Sequence, residues 1–318
     1  MRNEESEITC EACGTTYAAG AMAGMCPACL LSEVAGDESP TGNSSLDLRG
    51  TRIDRYLLQD PLGEGGMGTV WRAIQDEPIE REVALKLIKP GMDTRAVIER
   101  FEAERKVLTN LNHPNIASVL DAGVTKQGRP YFVMELVEGI SITSHCQRQD
   151  LDLKARLHLF VDVCRAVAHA HEKGVIHRDL KPGNILVSSG SEGTGPRVKV
   201  IDFGVAKATT DSMGNDQTLL TLAGQIVGTP GYMSPEQAAA DPADVRSDVY
   251  SLGVLLYELL TGHPPFESDR LHRAALAEVQ RIICEEDPPK PSTRMRGPGN
   301  GDESGVRDLD SLRGDLDW

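Results

Sequence analysis

The sequence predicts an α+β chain, with strands gathered in its first half, long helices in its second, and a small cysteine-stapled module in front. Three observations predict this. Short apolar segments of strand character flank a glycine-rich turn between Leu62 and Glu135. Two long helical patterns, Leu153 to Lys173 and Ser247 to Thr261, dominate the second half. Ahead of both, residues 1–31 hold four cysteines in two Cys-x-x-Cys pairs.

Cys10-Glu-Ala-Cys13 and Cys26-Pro-Ala-Cys29 are separated by twelve residues. Four thiolates at that spacing can close a tetrahedron around Zn²⁺, and a piece of roughly thirty residues needs such a staple because it cannot bury enough core. Two disulfides or a redox dithiol would use the same residues, although no βαβ pattern surrounds either pair. Ser32 to Arg52 is rich in Gly, Ser, Asp and Thr, without apolar periodicity, and reads as a flexible tether. The expected organisation is a zinc-ribbon-like module over residues 1–31, a linker over 32–52 and one domain over 53–318.

Within that domain, Leu62-Gly63-Glu64-Gly65-Gly66-Met67-Gly68-Thr69-Val70 reads as strand, glycine turn, strand. Glycines let a backbone approach phosphate oxygens where a Cβ would obstruct it. Alone, Gly-x-Gly-x-x-Gly could equally open a dinucleotide-binding helix. Here Val70-Trp71-Arg72-Ala73 looks extended, and no ribose-binding acid occurs in the expected βαβ context. Val83-Ala84-Leu85-Lys86 then places a lysine on an apolar strand. Asp93 or Thr94 can cap a following helix, in which Phe101, Glu104, Val107, Leu108 and Leu111 fall at helical spacing. Tyr131-Phe132-Val133-Met134-Glu135 is another short apolar strand.

The later helices read as core. Leu153 to Lys173 carries Leu157, Phe160, Cys164, Val167 and Ala168 along one stripe and stops at Gly174. Ser247 to Thr261 is almost wholly apolar apart from Asp248 and Glu258, ends at Gly262, and is too short to span a bilayer. Cys146, Cys164 and Cys284 are scattered and read as packing residues.

The densest chemistry is His177-Arg178-Asp179-Leu180-Lys181-Pro182-Gly183-Asn184, followed by Asp202-Phe203-Gly204. A base, cations and two metal ligands arrive in fixed order, the set that phosphoryl transfer needs, because its catalysis is mostly positioning and neutralisation of phosphate charge. With the glycine turn and Lys86, these motifs resemble those of eukaryote-like protein kinases. The resemblance covers about Ile53 to Trp318. Gly-Met-Gly in the turn, Ser-Pro-Glu-Gln at 234–237 and the cysteine pairs look most like bacterial serine/threonine kinases, planctomycete versions being closest in style. Ser234-Pro235-Glu236 stands where the family usually has Ala-Pro-Glu, a small-for-small change.

The resemblance implies a two-lobed fold, an antiparallel-sheet lobe with one helix followed by a mainly helical lobe that lacks its last helices. It implies ATP with Mg²⁺ (or Mn²⁺), and protein substrates with Ser or Thr acceptors, since Lys181 and Thr229 together mark that class. Asp179 is the implied base, Lys181 steadies the transferring phosphoryl, and Asn184 and Asp202 hold the metal. Lys86 is expected to pair with Glu104, Glu102 being the second choice. Leu62, Gly63, Gly65, Gly66, Gly68 and Val70 would cover the nucleotide. Ala84, Met134, Glu135, Leu136 and Leu186 would surround its purine, Met134 as gatekeeper or simply as core filler. Asp248 matches a buried Asp that ties down the loop at 177–184, and Thr229 is expected to bond Asp179 and Lys181. Arg178 is a cation for a phosphate on Thr221 or Thr218, and self-association for trans-autophosphorylation would supply it. A cytoplasmic kinase keeps its thiols reduced, which favours zinc over disulfides.

The 33 basic and 48 acidic residues, net −15, argue against non-specific nucleic-acid binding. No signal peptide or spanning segment is visible. No residue can be matched to the arginine that pairs with Glu236 in the family. That departure keeps open an inactive, nucleotide-binding pseudokinase or scaffold.

Overall fold

A computed structural model describes residues 7–9, 16–18, 48–65, 68–89, 108, 111–190, 195–203, 229–294 and 316. The chain divides into two compact units, Met1–Asp47 and Leu48–Trp318. In the first, β1 (Glu7–Thr9) and β2 (Thr16–Ala18) pair antiparallel, with Ile8 opposite Tyr17. Cys10, Cys13, Cys26 and Cys29 lie outside the described residues.

The second unit opens on an antiparallel sheet. Its strands are β3 (Arg52–Ile53), β4 (Tyr56–Glu64), β5 (Gly68–Gln75), β6 (Arg81–Ile88), β7 (Val119–Val124) and β8 (Pro130–Glu135), in the spatial order 3-4-5-6-8-7. Successive side chains of a strand point to opposite faces, and that alternation divides this sheet's chemistry. Trp71 and Ala73, Val83, Leu85 and Leu87, and Tyr131 and Val133 form one buried cluster with Tyr56 and Leu58. The intervening residues Val70, Arg72, Ala84, Lys86 and Met134 face a cavity on the other side. Lys86 reaches the cavity because it lies between Leu85 and Leu87, which belong to the core. Gly68 has a different reason from the one its motif implies: a Cβ there would lie 2.3 Å from the Leu87 carbonyl oxygen, so only glycine lets β5 lie this close to β6. A Cβ at Gly63 would meet open space.

The helix expected to follow β6 lies outside the described residues except for Leu108, which is helical and buried; Leu111 beyond it is buried but not helical. The segment 112–117 fastens the sheet to the lower lobe. Val200 N–H donates to Asn115 O at 2.8 Å, Ala117 N–H to Val200 O at 2.9 Å, and Asn115 Nδ2 to Val198 O at 2.9 Å. Residues Ile140–Ser141 form β9, Ile185–Ser188 form β10 and Arg197–Val200 form β11. β10 pairs with both of the others. Between β10 and β11, residues 191–194 lie outside the described residues.

Below lies the Leu153–Glu172 helix, capped by Asp152, whose Oδ1 accepts from Ala155 N–H at 2.8 Å. Its buried face overlaps the expected stripe of Leu157, Phe160, Cys164, Val167 and Ala168 only in part: Val167 is buried and Phe160 packs at the edge of the core. The buried residues are Arg156, Leu159, Val163, Ala166, Val167 and Ala170. The rotation has a polar cause: buried Arg156 donates from Nε to Leu151 O at 2.8 Å and from Nη1 to Leu259 O at 2.7 Å. A cation held by a carbonyl of a second helix sets which side of the first faces inward. Of the scattered cysteines, Cys146 is buried but Cys284 is exposed.

That second helix, Val245–Thr261, starts two residues before the apolar pattern, because Asp244 caps it through Arg246 N–H at 2.8 Å. It ends at Gly262, in the left-handed region at φ 81°. Leu255 and Leu259 are buried in the cluster shared with Leu159 and Val163; each contributes about 1.5–3 kcal/mol of burial. No helix among the described residues is long and apolar enough to cross a membrane. Shorter helices follow at Ser268–Arg273, Leu276–Glu285 and Pro291–Arg294.

Glu258 sits on the buried side of this helix and accepts the Tyr232 hydroxyl. Burial pushes its carboxyl up to about 7 from 4.5. A carboxyl raised in the folded state favours folding while protonated, so the contribution is complete below about pH 4.5 and is lost as pH rises through about 7. Glu258→Gln should therefore flatten a decline in unfolding free energy across that interval. Urea melts of both proteins at about pH 5 and about pH 8 check this, and an equal decline in both would refute it.

Candidate active site

A cavity of about 760 Å³ lies under the glycine turn. Leu62 and Gly63 line it from β4, Gly65 from the turn, Gly68 and Val70 from β5, and Ala84 and Lys86 from β6. Met134, Glu135 and Leu136 line it from the end of β8, and Leu186 lines it from β10. Gly66 lies outside the described residues. The Glu135 side chain is turned to its neighbours: Oε2 accepts Lys199 Nζ at 2.9 Å and Ser118 N–H at 3.2 Å. The chain continues along the wall through Val137, Glu138 and Gly139, the stretch after the strand that the kinase resemblance implies as the hinge beside the purine.

The loop 177–184 is built around Asp248, a wholly buried carboxylate near the start of the Val245–Thr261 helix. Its Oδ2 accepts His177 N–H at 2.8 Å and His171 Nε2 at 2.7 Å, and its Oδ1 accepts Arg178 N–H at 2.8 Å. Burial pushes this carboxyl up, but the hydrogen bonds from His171 and the two backbone amides, with the nearby His177, outweigh it and hold it below the usual value. His177 is wholly buried and its ring lies 4.6 Å from that of Phe203. Its Nε2 faces Ile201 O at 3.0 Å, while Nδ1 accepts Asp179 N–H at 3.3 Å. A carbonyl only accepts and an amide N–H only donates, so Nε2 is the ring nitrogen that donates to Ile201 O. Arg178 and Asp202 both adopt left-handed φ, 67° and 63°. Such a conformation costs about 1–3 kcal/mol at a non-glycine residue and persists only where the surroundings over-determine it.

These constraints present Asp179 to the cavity, with its side chain 43% exposed. Lys181 Nζ lies 2.8 and 3.1 Å from the two carboxylate oxygens. Asn184 Nδ2 donates to Asp179 O at 2.8 Å and to Oδ2 at 3.0 Å. Across the cavity, Lys86 Nζ donates to Asp202 Oδ2 at 2.8 Å. Glu104, its expected partner, and the second choice Glu102 lie outside the described residues, as do Thr218 and Thr221. Thr229 lines the cavity, but among the described residues it makes no hydrogen bond to Asp179 or Lys181; Lys181 instead closes directly on Asp179. Tyr232, Met233 and Gln237 extend the lining past Thr229.

The donor set suits a hard cation. Asp202 Oδ1 is buried without a hydrogen-bond partner among the described residues, and the Asn184 amide, with its nitrogen spent on Asp179, keeps its oxygen for another contact. Carboxylate and amide oxygens are the ligands Mg²⁺ and Mn²⁺ take. Among the described residues no cluster of three or more His, Cys, Asp and Glu is placed to hold a metal ion. Glu236 is not left without a partner: Ser247 Oγ donates to its Oε1 at 2.5 Å. That donor is a hydroxyl eleven residues along the chain, not the arginine of the family.

The protein kinase domain family matches residues 56–305. The serine/threonine-protein kinase PknB of Mycobacterium tuberculosis (strain ATCC 25618 / H37Rv) is 40% identical over 249 residues, 77% of this chain and 37% of PknB. The serine/threonine-protein kinase pkn3 of Myxococcus xanthus is 42% identical over 251 residues, 76% of this chain and 43% of that protein. The chain thus spans about two fifths of the length of these relatives. The crystal structure of the Mycobacterium tuberculosis PknI kinase domain superposes with a TM-score of 0.54 at 25% identity, covering 83% of this chain and 96% of that one.

Proposed function

Because the chain belongs to the protein kinase family, we propose that it is an ATP-dependent protein serine/threonine kinase, transferring the γ-phosphoryl group to Ser and Thr hydroxyls of proteins. The observation that carries this reading is the gathering of Asp179, Lys181, Asn184, Asp202 and Lys86 on one cavity under a glycine turn. Asp179 orients the acceptor hydroxyl and takes its proton. Lys181, already within 3.1 Å of both Asp179 oxygens, lies where it can steady the transferring phosphoryl. Lys86 grips the α- and β-phosphates, with Glu104 as its support. Asn184 and Asp202 would hold Mg²⁺ or Mn²⁺, which neutralises phosphate charge when bound. The purine packs between Val70, Ala84, Met134 and Leu186.

Asp179→Asn should lower transfer by about 10²–10⁴-fold, the usual contribution of a positioned base, with the melting temperature little changed. Lys86→Met should lose activity similarly. Radiolabelled phosphate transfer to a generic basic protein measures both. Near-normal turnover in either variant refutes the assignment. Nucleotide binding without transfer in the unaltered chain would point instead to a pseudokinase or scaffold.

The finer features of the reading are regulatory and structural. Phosphate on Thr221, or on Thr218 as second choice, pairs with Arg178 and orders the segment before Thr229, since a phosphothreonine brings roughly −1.5 to −2 charges. Self-association would allow this in trans, and the protein works in the cytoplasm. Phosphopeptide mapping after autophosphorylation should find the modified threonine, and full activity in a Thr218→Ala/Thr221→Ala variant refutes the mechanism.

Cys10, Cys13, Cys26 and Cys29 form a zinc-ribbon-like module over residues 1–31, tethered by 32–52 to the kinase domain at 53–318. Purified protein should carry about one Zn²⁺ per chain, as four-thiolate sites do. Elemental analysis decides this; two disulfides by mass spectrometry with no zinc would overturn it. Removing residues 1–31 should leave nucleotide affinity unchanged.

A further inference from the structure

The peptide group between Arg178 and Asp179 is held at both ends. Its N–H, on Asp179, donates to His177 Nδ1 at 3.3 Å. Its carbonyl, on Arg178, accepts Gln237 Nε2 at 2.8 Å. Gln237 lies on the short Pro235–Ala238 helix, in a different segment of the cavity lining, and its amide is itself fixed. Gln237 Oε1 accepts Ser234 N–H at 3.0 Å, and Gln237 N–H donates to Ser234 Oγ at 3.3 Å. This is a capping box, in which the first residue and the fourth satisfy each other's orphan backbone donors. Ser234 is wholly buried. With Oε1 committed to the cap, the nitrogen end of the amide points at the Arg178 carbonyl. An alanine at position 234 would have no side-chain oxygen to accept the Gln237 N–H, so the box depends on this particular serine.

We propose that Ser234 and Gln237 form a positioning pair for the catalytic base. The capping box fixes one end of the Gln237 amide, and the other end holds the Arg178 carbonyl. The peptide plane leading into Asp179 therefore keeps the orientation that the left-handed turn at Arg178 requires. Asp248 holds the same turn from the opposite side through the amides of His177 and Arg178. The segment that lines the acceptor side of the cavity is thereby coupled to the base. This inference rests on the kinase reading, in which Asp179 acts on the acceptor hydroxyl. An interaction that aligns a group for the transition state is expressed in kcat, whereas one that only aids nucleotide binding is expressed in KM.

Gln237→Glu separates the two jobs of this side chain. A glutamate can still close the capping box, since Glu and Gln serve equally there, but its carboxylate cannot donate to a carbonyl. In the full chain it should still melt in one cooperative transition and keep its KM for ATP, while kcat falls about 2- to 13-fold, the effect of losing one hydrogen bond. Amide hydrogen exchange at Arg178 and Asp179 should quicken in the nucleotide-free variant. Ser234→Thr, which keeps the capping oxygen, should retain kcat, and Ser234→Ala should lose part of it. Gln280→Met is the control: Gln280 Nε2 donates to Ala238 O at 2.6 Å, the same kind of bond to the same helix but with no bond to the Arg178 carbonyl. It should leave kcat unchanged.

Unaltered kcat with unaltered exchange in Gln237→Glu overturns the proposal. So does a loss in Gln280→Met as large as that in Gln237→Glu, which would trace the effect to general loosening. If the unaltered chain transfers no phosphate, the kinase reading fails on its own. The exchange comparison then decides the positioning role by itself.

Discussion

The site depends on one buried carboxylate. Asp248 has no exposure to solvent, yet three donors from two other segments converge on it: the His171 ring and the amides of His177 and Arg178. A charge in that position would be costly if unpaired. Saturated with hydrogen bonds, it becomes an anchor whose geometry is dictated by its partners. The helix that carries it is itself fixed, through Arg156 and through Leu255 and Leu259. The loop bearing Asp179 thus inherits the rigidity of a deeply buried helix of the lower lobe, and the left-handed turn at Arg178 is tolerated because its amide is committed to Asp248.

The second constraint is the pleat of the sheet. On β6, alternate residues serve packing and chemistry, so Lys86 is carried into the cavity by a strand whose other face is apolar core. Its ammonium meets Asp202, which comes from beyond β11. A largely buried ion pair of this kind is weak evidence for stability, because desolvation offsets much of the attraction. Its consequence here is geometric. Lys86 occupies one carboxylate oxygen of Asp202, and the other, buried, keeps its lone pairs for a cation.

Much of this is legible in the amino-acid string. The glycine turn, Lys86, the run from His177 to Asn184 and Asp202 read as one chemistry because phosphoryl transfer requires those residue types in that order. The flanking strands and both long helices follow from apolar periodicity and from stop signals such as Gly262. The phase of the Leu153–Glu172 helix is not legible, because a buried arginine does not register as apolar in any hydrophobic pattern. The partner of Glu236 is hidden for a similar reason: a serine inside an apolar helix reads as neutral until the fold brings its hydroxyl to a carboxylate. Gln237 carries only the signal of a capping box, which says nothing of what the other end of its amide will touch.

The sequence by itself determined which groups this protein owns and the order in which its strands and helices occur, because both depend on local spacing and on the chemistry of single side chains. Only the tertiary structure decided which of those groups meet. Asp248 and Arg178 are seventy residues apart, and Lys86 and Asp202 are 116 residues apart. No local propensity encodes such contacts; they exist because burying the two faces of the sheet and the inner faces of two helices leaves the chain few ways to close. The same closure gave Gly68 its reason, placing it against the Leu87 carbonyl, where a side chain has no room.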